Sequence, residues 1–328
     1  MDQGPPDALQ PLLNQLTEYL ALELKFKPNL QLPLCSPGGD VTVGIRDGTA
    51  HVLRCLKIWY DMPSEVLFVA VNLVDRFLSK MKAHPKHMAC IAIASFQLAA
   101  EMVCRGKVGS PQVPQAIEVA AISQCKCTNG DLQRMQGIIT SKLGSQDGSL
   151  PITAVDFLKV FHTLFLAVDE GNVYSTMVEG SELCHKLEIV ACDAAVSNFR
   201  PCEVALVVIC VQMDAGVPRL THRPAHEHVA VVVNFATHLQ KHCKIDEFSF
   251  YECHEAVLMI IGRYNSQQQT PNRQRLVWKL SHRTLRHLRP TDRLVKTLPT
   301  INEHALTRSD STSSEDSWVE EEWPVNSV

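Results

Sequence analysis

Hydrophobic residues recur every three or four positions along most of the first 265 residues, which is the spacing of one face of an α-helix. Near the start of the chain, five leucines have this spacing: Leu9, Leu12, Leu13, Leu16 and Leu20. In the stretch PSEVLFVAVNLVDRFLSKM, a Pro, a Ser and an acid come directly before the apolar stripe, as is typical of a helix start. The pattern therefore predicts helices throughout, beginning with one N-terminal amphipathic helix.

Segments rich in Pro, Gly and Ser separate the predicted helices into groups. KPNLQLPLCSPGGD follows the N-terminal helix, and GSQDGS separates five helical stretches from five more. Runs such as VAVVVNFA contain enough valine to form strands, but no hairpin turn brackets them, so helix is favoured. The pattern predicts an all-α protein with two helical bundles of about 100 residues each.

These breaks predict five regions. They are an N-terminal helix and linker (1–40), a first bundle (41–147), a second bundle (148–265), a basic helical extension (266–297) and an acidic tail (298–328). The tail is too polar to build a core, so we expect it to be disordered.

Composition points away from catalysis and metal binding. The 328 residues are 45% hydrophobic, which is enough to fill two cores. Twelve cysteines lie mainly in apolar helical patterns and are expected to be reduced thiols; no C-x-x-C pair exists, and Cys125 and Cys127 lack the usual zinc spacing. No phosphate loop, histidine metal motif or paired nucleophile and base is supported, so we expect no catalytic residue, metal or cofactor.

Every uninterrupted apolar run is shorter than the roughly 18 residues that cross a bilayer, and we expect no membrane association.

The end of the chain places a basic block before an acidic one. Residues 273–296 hold eight Lys or Arg against one Asp, and residues 309–328 hold six acids and no Lys or Arg. At helical spacing one face of the basic block would be charged and another would turn toward the protein. The charged face would carry Arg275, Lys279, Arg283 and Arg286, and the other Leu276, Leu280, Leu285 and Leu288.

Two interpretations of this basic block are open. It is either a nucleic-acid or nuclear-import segment, or a helix packed on the second bundle with its charged face in water. It has one Trp and no stacking series, so we favour the packed helix and expect no nucleic-acid partner.

Residues 45–104 resemble a cyclin box. AVNLVDRFLSKM (70–81) resembles the second box helix of cyclins, and Arg46 lies at the matching distance upstream for the Arg near the start of the first. AVNLVDRFLSKMKAHPKHMACI, ISQCKCT, LVWKLSHRTLRHL and LPTINE together resemble the cyclin G group, from about residue 41 to 303. The resemblance implies two stacked five-helix cyclin-box bundles. It also implies that Arg46 and Asp75 form a mostly buried ion pair between the first two box helices.

The same resemblance draws attention to positions where kinase-activating cyclins differ. Those cyclins hold their kinase through a Lys at the end of the third box helix and a Glu in the fifth, where this chain has Glu101 and Gln136. A reversed charge repels the acceptor that the original charge attracts. In the cyclin substrate-docking patch, Gly48, Thr49 and Val52 replace larger apolar side chains. Strong activation of a cyclin-dependent kinase is therefore not favoured, although a kinase with altered contacts remains a possible partner.

A short motif opens the acidic tail. Leu298, Ile301 and Glu303 fit L-x-x-I-x-E, which looks like the motif that binds the B-prime regulatory subunits of protein phosphatase 2A, a phosphatase associated with the cyclin G group. Thr312, Ser313 and Ser317 each have an acid three residues on, the spacing that an acid-directed kinase prefers. The alternative is that Leu298 and Ile301 strap the tail onto the second bundle.

These observations predict a non-enzymatic cyclin G-like regulator of the cell cycle, growth or the DNA-damage response. We expect it in the nucleus and cytoplasm, recruiting a B-prime subunit of protein phosphatase 2A through the tail motif. The alternative is a subunit that binds and activates a cyclin-dependent kinase through the cyclin box.

Overall fold

The computed structural model describes residues 9–36, 39–105, 109, 111–144, 149–220 and 226–265. Within these ranges the chain forms helices, loops and short 3₁₀ turns, and no strand. The helices are α1 (Gln10–Phe26), α2 (Val43–Trp59), α3 (Ser64–Lys80), α4 (Met88–Cys104), α5 (Ala116–Ile122), α6 (Asn129–Leu143), α7 (Ala154–Ala167), α8 (Val173–Met177), α9 (Gly180–Ala191), α10 (Pro201–Gly216), α11 (His226–His242) and α12 (Glu247–Asn265). The all-α prediction is confirmed, and the valine-rich run is the helix α11.

Local sequence sets the boundary between the two bundles. α6 ends where Gly144 adopts a left-handed conformation with φ of 67°, which glycine takes without steric cost. α7 begins at Ala154, directly after Thr153, whose backbone N–H and hydroxyl both donate to Asp156 at 2.8 Å. Asp156 in the first turn thus reaches back to Thr153 and fixes where the helix starts. The first bundle therefore ends at Leu143 and the second begins at Ala154, with ten residues between them.

The first bundle contains α2 to α6 and is built around α4. α4 packs against α2, α3, α5 and α6, and it is buried on nearly all faces. Its small and branched side chains, such as Ala94, Ala99 and Ile91, are almost completely inaccessible to water. A helix that is apolar all round is stable only when other helices surround it, which is the position α4 occupies.

The second bundle contains α7 to α12 and is built in the same way around α10. α10 packs against α7, α8, α9, α11 and α12, and its valines and Ile209 are buried. The bundle has the five predicted helices and one more, the five-residue α8. A helix of five residues is too short to show a hydrophobic period, which is why the sequence pattern did not indicate it.

Gly216 marks the place where α10 meets α8 most closely. A methyl group at Gly216 would lie 2.3 Å from the carbonyl oxygen of Met177, well inside van der Waals contact. Only glycine therefore permits this approach of the two backbones.

Two segments of the described chain are long and apolar enough to span a membrane by length and hydropathy alone. They are Pro85–Cys104 and Pro201–Arg219, with mean hydropathy of 1.5 and 1.4. Both are largely buried because they contain the central helices α4 and α10. Core packing accounts for their composition.

Candidate partner-binding site

Arg46 and Asp75 form a buried ion pair between α2 and α3. The guanidinium of Arg46 donates from Nε to Oδ1 of Asp75 at 2.8 Å and from an Nη to Oδ2 at 2.6 Å. The two residues are 2% and 3% exposed. A fork of two parallel hydrogen bonds fixes the orientation of both side chains, so the pair sets how α2 crosses α3.

The same guanidinium connects the first bundle with the second. Arg46 also donates to Asp47 at 3.4 Å and to the carbonyl of Ala191 at 3.3 Å. Asp47 in turn accepts from the backbone N–H of Ala194 at 2.8 Å. Burial alone would lower the pKa of Arg46, but the carboxylates of Asp75 and Asp47 outweigh it and raise the pKa. Arg46 therefore stays charged inside the protein.

A second buried polar cluster centres on Glu188 of α9. Its carboxylate contacts Nζ of Lys57 at 2.7 Å, Nε of Arg54 at 3.5 Å and the hydroxyl of Ser64 at 2.6 Å. Lys57 and Arg54 belong to α2, and Ser64 begins α3. A single carboxylate of the second bundle thus pairs with two cations of the first and joins the two bundles.

Glu23 and Arg200 form a third buried pair, which the sequence pattern did not indicate. Glu23, on α1, is completely buried and accepts from Nε of Arg200 at 2.8 Å and from a second guanidinium nitrogen. Arg200 also donates to the carbonyls of Cys243 and Lys244 at 2.9 and 3.0 Å. The pair holds the N-terminal helix on the second bundle. The only signal in the sequence was an acid, Glu23, within a helix rich in leucine.

Glu101 lies near the end of α4 and pairs with Arg105, one helical turn later. Their side chains approach to 3.1 Å and are 35% and 79% exposed. This end of α4 therefore offers a carboxylate next to an exposed Arg. An exposed pair of this kind is solvated and adds little to stability.

A cavity of 380 Å³ opens beside this pair, between α4 and α6. It is lined by Leu73, Leu98, Glu101, Met102, Arg105, Ile139 and Thr140. Gln136 is half-buried on α6, one turn before Thr140, and its carbonyl accepts from the Thr140 hydroxyl at 2.8 Å. The cavity is therefore mostly apolar and rimmed by Glu101 and Arg105, and Gln136 lies one turn away from its lining on α6.

The α2 positions matched from the sequence to a substrate-docking patch, Gly48, Thr49 and Val52, offer little apolar surface. Thr49 is buried, and its hydroxyl donates to the carbonyl of Ile45 at 2.8 Å. Gly48 and Val52 are half-buried. A patch that grips a peptide needs exposed large side chains, and these three residues do not supply them.

The tail motif and the candidate phosphosites lie outside the described residues. This applies to Leu298, Ile301 and Glu303, to Thr312, Ser313 and Ser317, and to the basic block.

In the part of the chain that the structure describes, no group of three or more His, Cys, Asp or Glu is arranged to hold a metal ion. The twelve cysteines are free thiols, and burial raises the pKa of Cys192 to about 12.

Comparison with known proteins assigns the first bundle. The Cyclin, N-terminal domain model matches residues 15–146. A solved structure, the viral cyclin from herpesvirus saimiri, aligns with a TM-score of 0.52 and 15% identity over 77% of this chain and 99% of the viral chain. At this identity the likeness shows the fold alone, and it confirms the two stacked cyclin-box bundles.

Three curated relatives assign the group. The chain is 43% identical to Cyclin G of Drosophila melanogaster over 97% of its own length, but it spans only 56% of the Drosophila protein. It is 32% identical to human Cyclin-G2, covering 93% of this chain and 85% of the relative. It is 30% identical to human Cyclin-G1, covering 90% of this chain and 96% of the relative. With the cyclin fold, this similarity over nearly the full chain shows that the protein belongs to the cyclin G group of the cyclin family.

Proposed function

We propose that this protein is a non-enzymatic regulator of the cell cycle, growth or the DNA-damage response that recruits a B-prime subunit of protein phosphatase 2A. The observation that carries the proposal is the L-x-x-I-x-E motif at Leu298, Ile301 and Glu303, in a chain that belongs to the cyclin G group. The cyclin bundles act as the scaffold, and the protein works in the nucleus and cytoplasm.

The motif has the chemistry of a peptide gripped by a groove. In an extended peptide, Leu298 and Ile301 fill two apolar pockets, and Glu303 pairs with a basic groove residue. Pro299 restricts the unbound peptide and so reduces the entropy lost on binding. Phosphate on Thr312, Ser313 or Ser317 adds negative charge close to Glu303 and strengthens attraction to a basic groove.

The face formed by α4 and α6 supports this role over kinase activation. Glu101 reverses the charge that kinase-activating cyclins carry there, and Arg105 already pairs with it. A kinase whose surface matches those cyclins meets an unfavourable carboxylate.

The test is a pulldown of the full-length chain from cells, with bound proteins identified by mass spectrometry. Leu298→Ala/Ile301→Ala is expected to lower recovery of B-prime subunits at least about tenfold, as loss of two apolar anchors does. Leu294→Ala/Val295→Ala is the matched control, since it removes two apolar side chains just before the motif, and it should retain binding. If Leu298→Ala/Ile301→Ala recovers as much B-prime subunit as the control variant and the unmodified chain, the motif does not carry the binding.

A second candidate is binding of a cyclin-dependent kinase whose contacts differ from those made with kinase-activating cyclins, for which the 380 Å³ cavity between α4 and α6 offers an apolar site. The partly exposed side chains of Leu98 and Met102 offer the apolar part of such a contact. In the same pulldown, kinase with histone-directed activity that is lost in Met102→Asp but kept in Leu298→Ala/Ile301→Ala would favour this candidate.

A further inference from the structure

The outward face of α12 is apolar although no described helix covers it. Phe248, Tyr251, Leu258 and Met259 are 69%, 62%, 41% and 62% exposed. The opposite face of α12, with Cys253, Val257 and Ile260, is buried against α9 and α10. A surface helix normally has one apolar stripe, and α12 has two. Large apolar side chains exposed on one side of a helix are typical of a docking site.

Carboxylates lie within and beside this outward face: Glu255 is one turn from both Tyr251 and Met259. Glu247, Glu252 and Glu255 are exposed on the same side of α12. The basic residue of the helix, Arg263, lies in its last turn and pairs with Asp193 at 3.1 Å. The face therefore offers apolar side chains interspersed with negative charge, and its partner should be apolar and basic.

The chain itself supplies such a segment directly after α12. Residues 273–289 contain six Lys or Arg and no acid, together with Leu276, Leu280, Leu285 and Leu288. The seven residues 266–272 leave α12 at its end and can span about 23–25 Å when extended. α12 has 19 residues and is about 28 Å long, so the segment can return along most of the helix.

We propose that residues 273–289 dock on the outward face of α12 in the same chain. Their leucines cover Phe248, Tyr251 and Met259, and their basic side chains pair with the carboxylates on this side of α12. A second copy is a poorer occupant, because a twofold contact between two such faces sets like charges against each other. This docking does not depend on phosphatase recruitment, since Leu298 lies beyond the docked segment.

Hydrogen exchange followed by mass spectrometry tests the docking on the full-length chain. Amides of 273–289 are expected to exchange at least about tenfold more slowly than those of 306–320, and at the same rate when the protein is diluted. Tyr251→Ala/Met259→Ala should raise exchange in 273–289 toward the rate of 306–320. Both side chains are exposed, so unchanged protection of Cys253–Ile260 will show that the second bundle is intact.

The matched control is Val231→Ala/Val233→Ala on α11, where both valines are exposed at 36% and 51%. This variant should leave exchange in 273–289 unchanged. The proposal is overturned if 273–289 exchanges as fast as 306–320 in the unmodified chain, or if its protection survives Tyr251→Ala/Met259→Ala. Protection that disappears on dilution would overturn it in favour of a second copy as the occupant.

Discussion

Arg46 and Arg200 are both held by a buried carboxylate, but the two pairs join different parts of the molecule. Arg46 pairs with Asp75 on the next helix and is almost completely buried. Arg200 pairs with Glu23 on α1, across most of the chain, and its side chain is 24% exposed. One pair fixes the inside of the cyclin box, and the other attaches the N-terminal helix to the second bundle. We therefore expect the loss of a carboxylate to cost more stability at Arg46, where water is absent, than at Arg200.

Asp75→Ala should give the largest loss of stability. It leaves the guanidinium of Arg46 buried without its main partner, which costs about 3–5 kcal/mol in the free energy of unfolding. Thermal and urea unfolding of the full chain measure this loss. Asp40→Ala removes an exposed carboxylate and serves as the control. An unchanged midpoint for Asp75→Ala would show that the pair does not lock α2 onto α3.

Glu23→Ala should cost less, about 2 kcal/mol. Arg200 is partly exposed and keeps the carbonyls of Cys243 and Lys244 as acceptors, so its charge is not stranded. Hydrogen exchange should become faster in α1 while α4 stays protected. Glu18→Ala, on the exposed side of α1, should leave both helices unchanged. Equal losses for Glu23→Ala and Asp75→Ala would contradict the difference in burial.

Arg46→Lys separates the contribution of geometry from that of charge in the stabilising effect of the Arg46–Asp75 pair. Lysine keeps the charge but cannot form the two-pronged contact with Asp75, so we expect a loss of about 1.5 kcal/mol in urea unfolding. Arg134→Lys is the matched change in an exposed pair with Asp131 and should have no measurable effect. If Arg46→Lys is as stable as the unmodified chain, the two parallel hydrogen bonds to Asp75 contribute nothing to stability beyond the charge.

Glu101→Ala should have the smallest effect, within about 0.5 kcal/mol, because its pair with Arg105 is an exposed contact within one helix. Thermal unfolding at low and high salt provides the measurement. A loss comparable with that of Glu23→Ala would mean that this pair has a structural role, and it would weaken the interpretation of this face as a partner surface.

The sequence predicted the helices because their apolar spacing is long and regular. It placed Arg46 beside Asp75 only through the resemblance to cyclins, which relates two neighbouring helices. It did not predict Glu23 with Arg200 or Glu188 with Lys57, because no spacing rule connects residues so far apart in the chain. It also missed α8, whose position depends on the close approach of Gly216 to Met177.

The candidate site divides in the same way. Glu101 and Gln136 were predicted from the cyclin pattern, and the structure adds that Glu101 already pairs with Arg105 beside a cavity. The exposed apolar face of α12 was not predicted, because Phe248 and Met259 continue an ordinary helical pattern in the sequence. Only packing shows which of two apolar faces is covered.

The charge cluster at Glu188 has a consequence for how the protein is made. Arg54 and Lys57 are translated with the first bundle. Their carboxylate partner, Glu188, follows only after residues 144–187 have been added. At 5–20 residues per second, the ribosome needs about 2–9 s to add that stretch. During this time the first bundle keeps two basic side chains in water on the surface that will later be closed. A nascent chain released too early would present that unfinished surface to acidic neighbours in the cell.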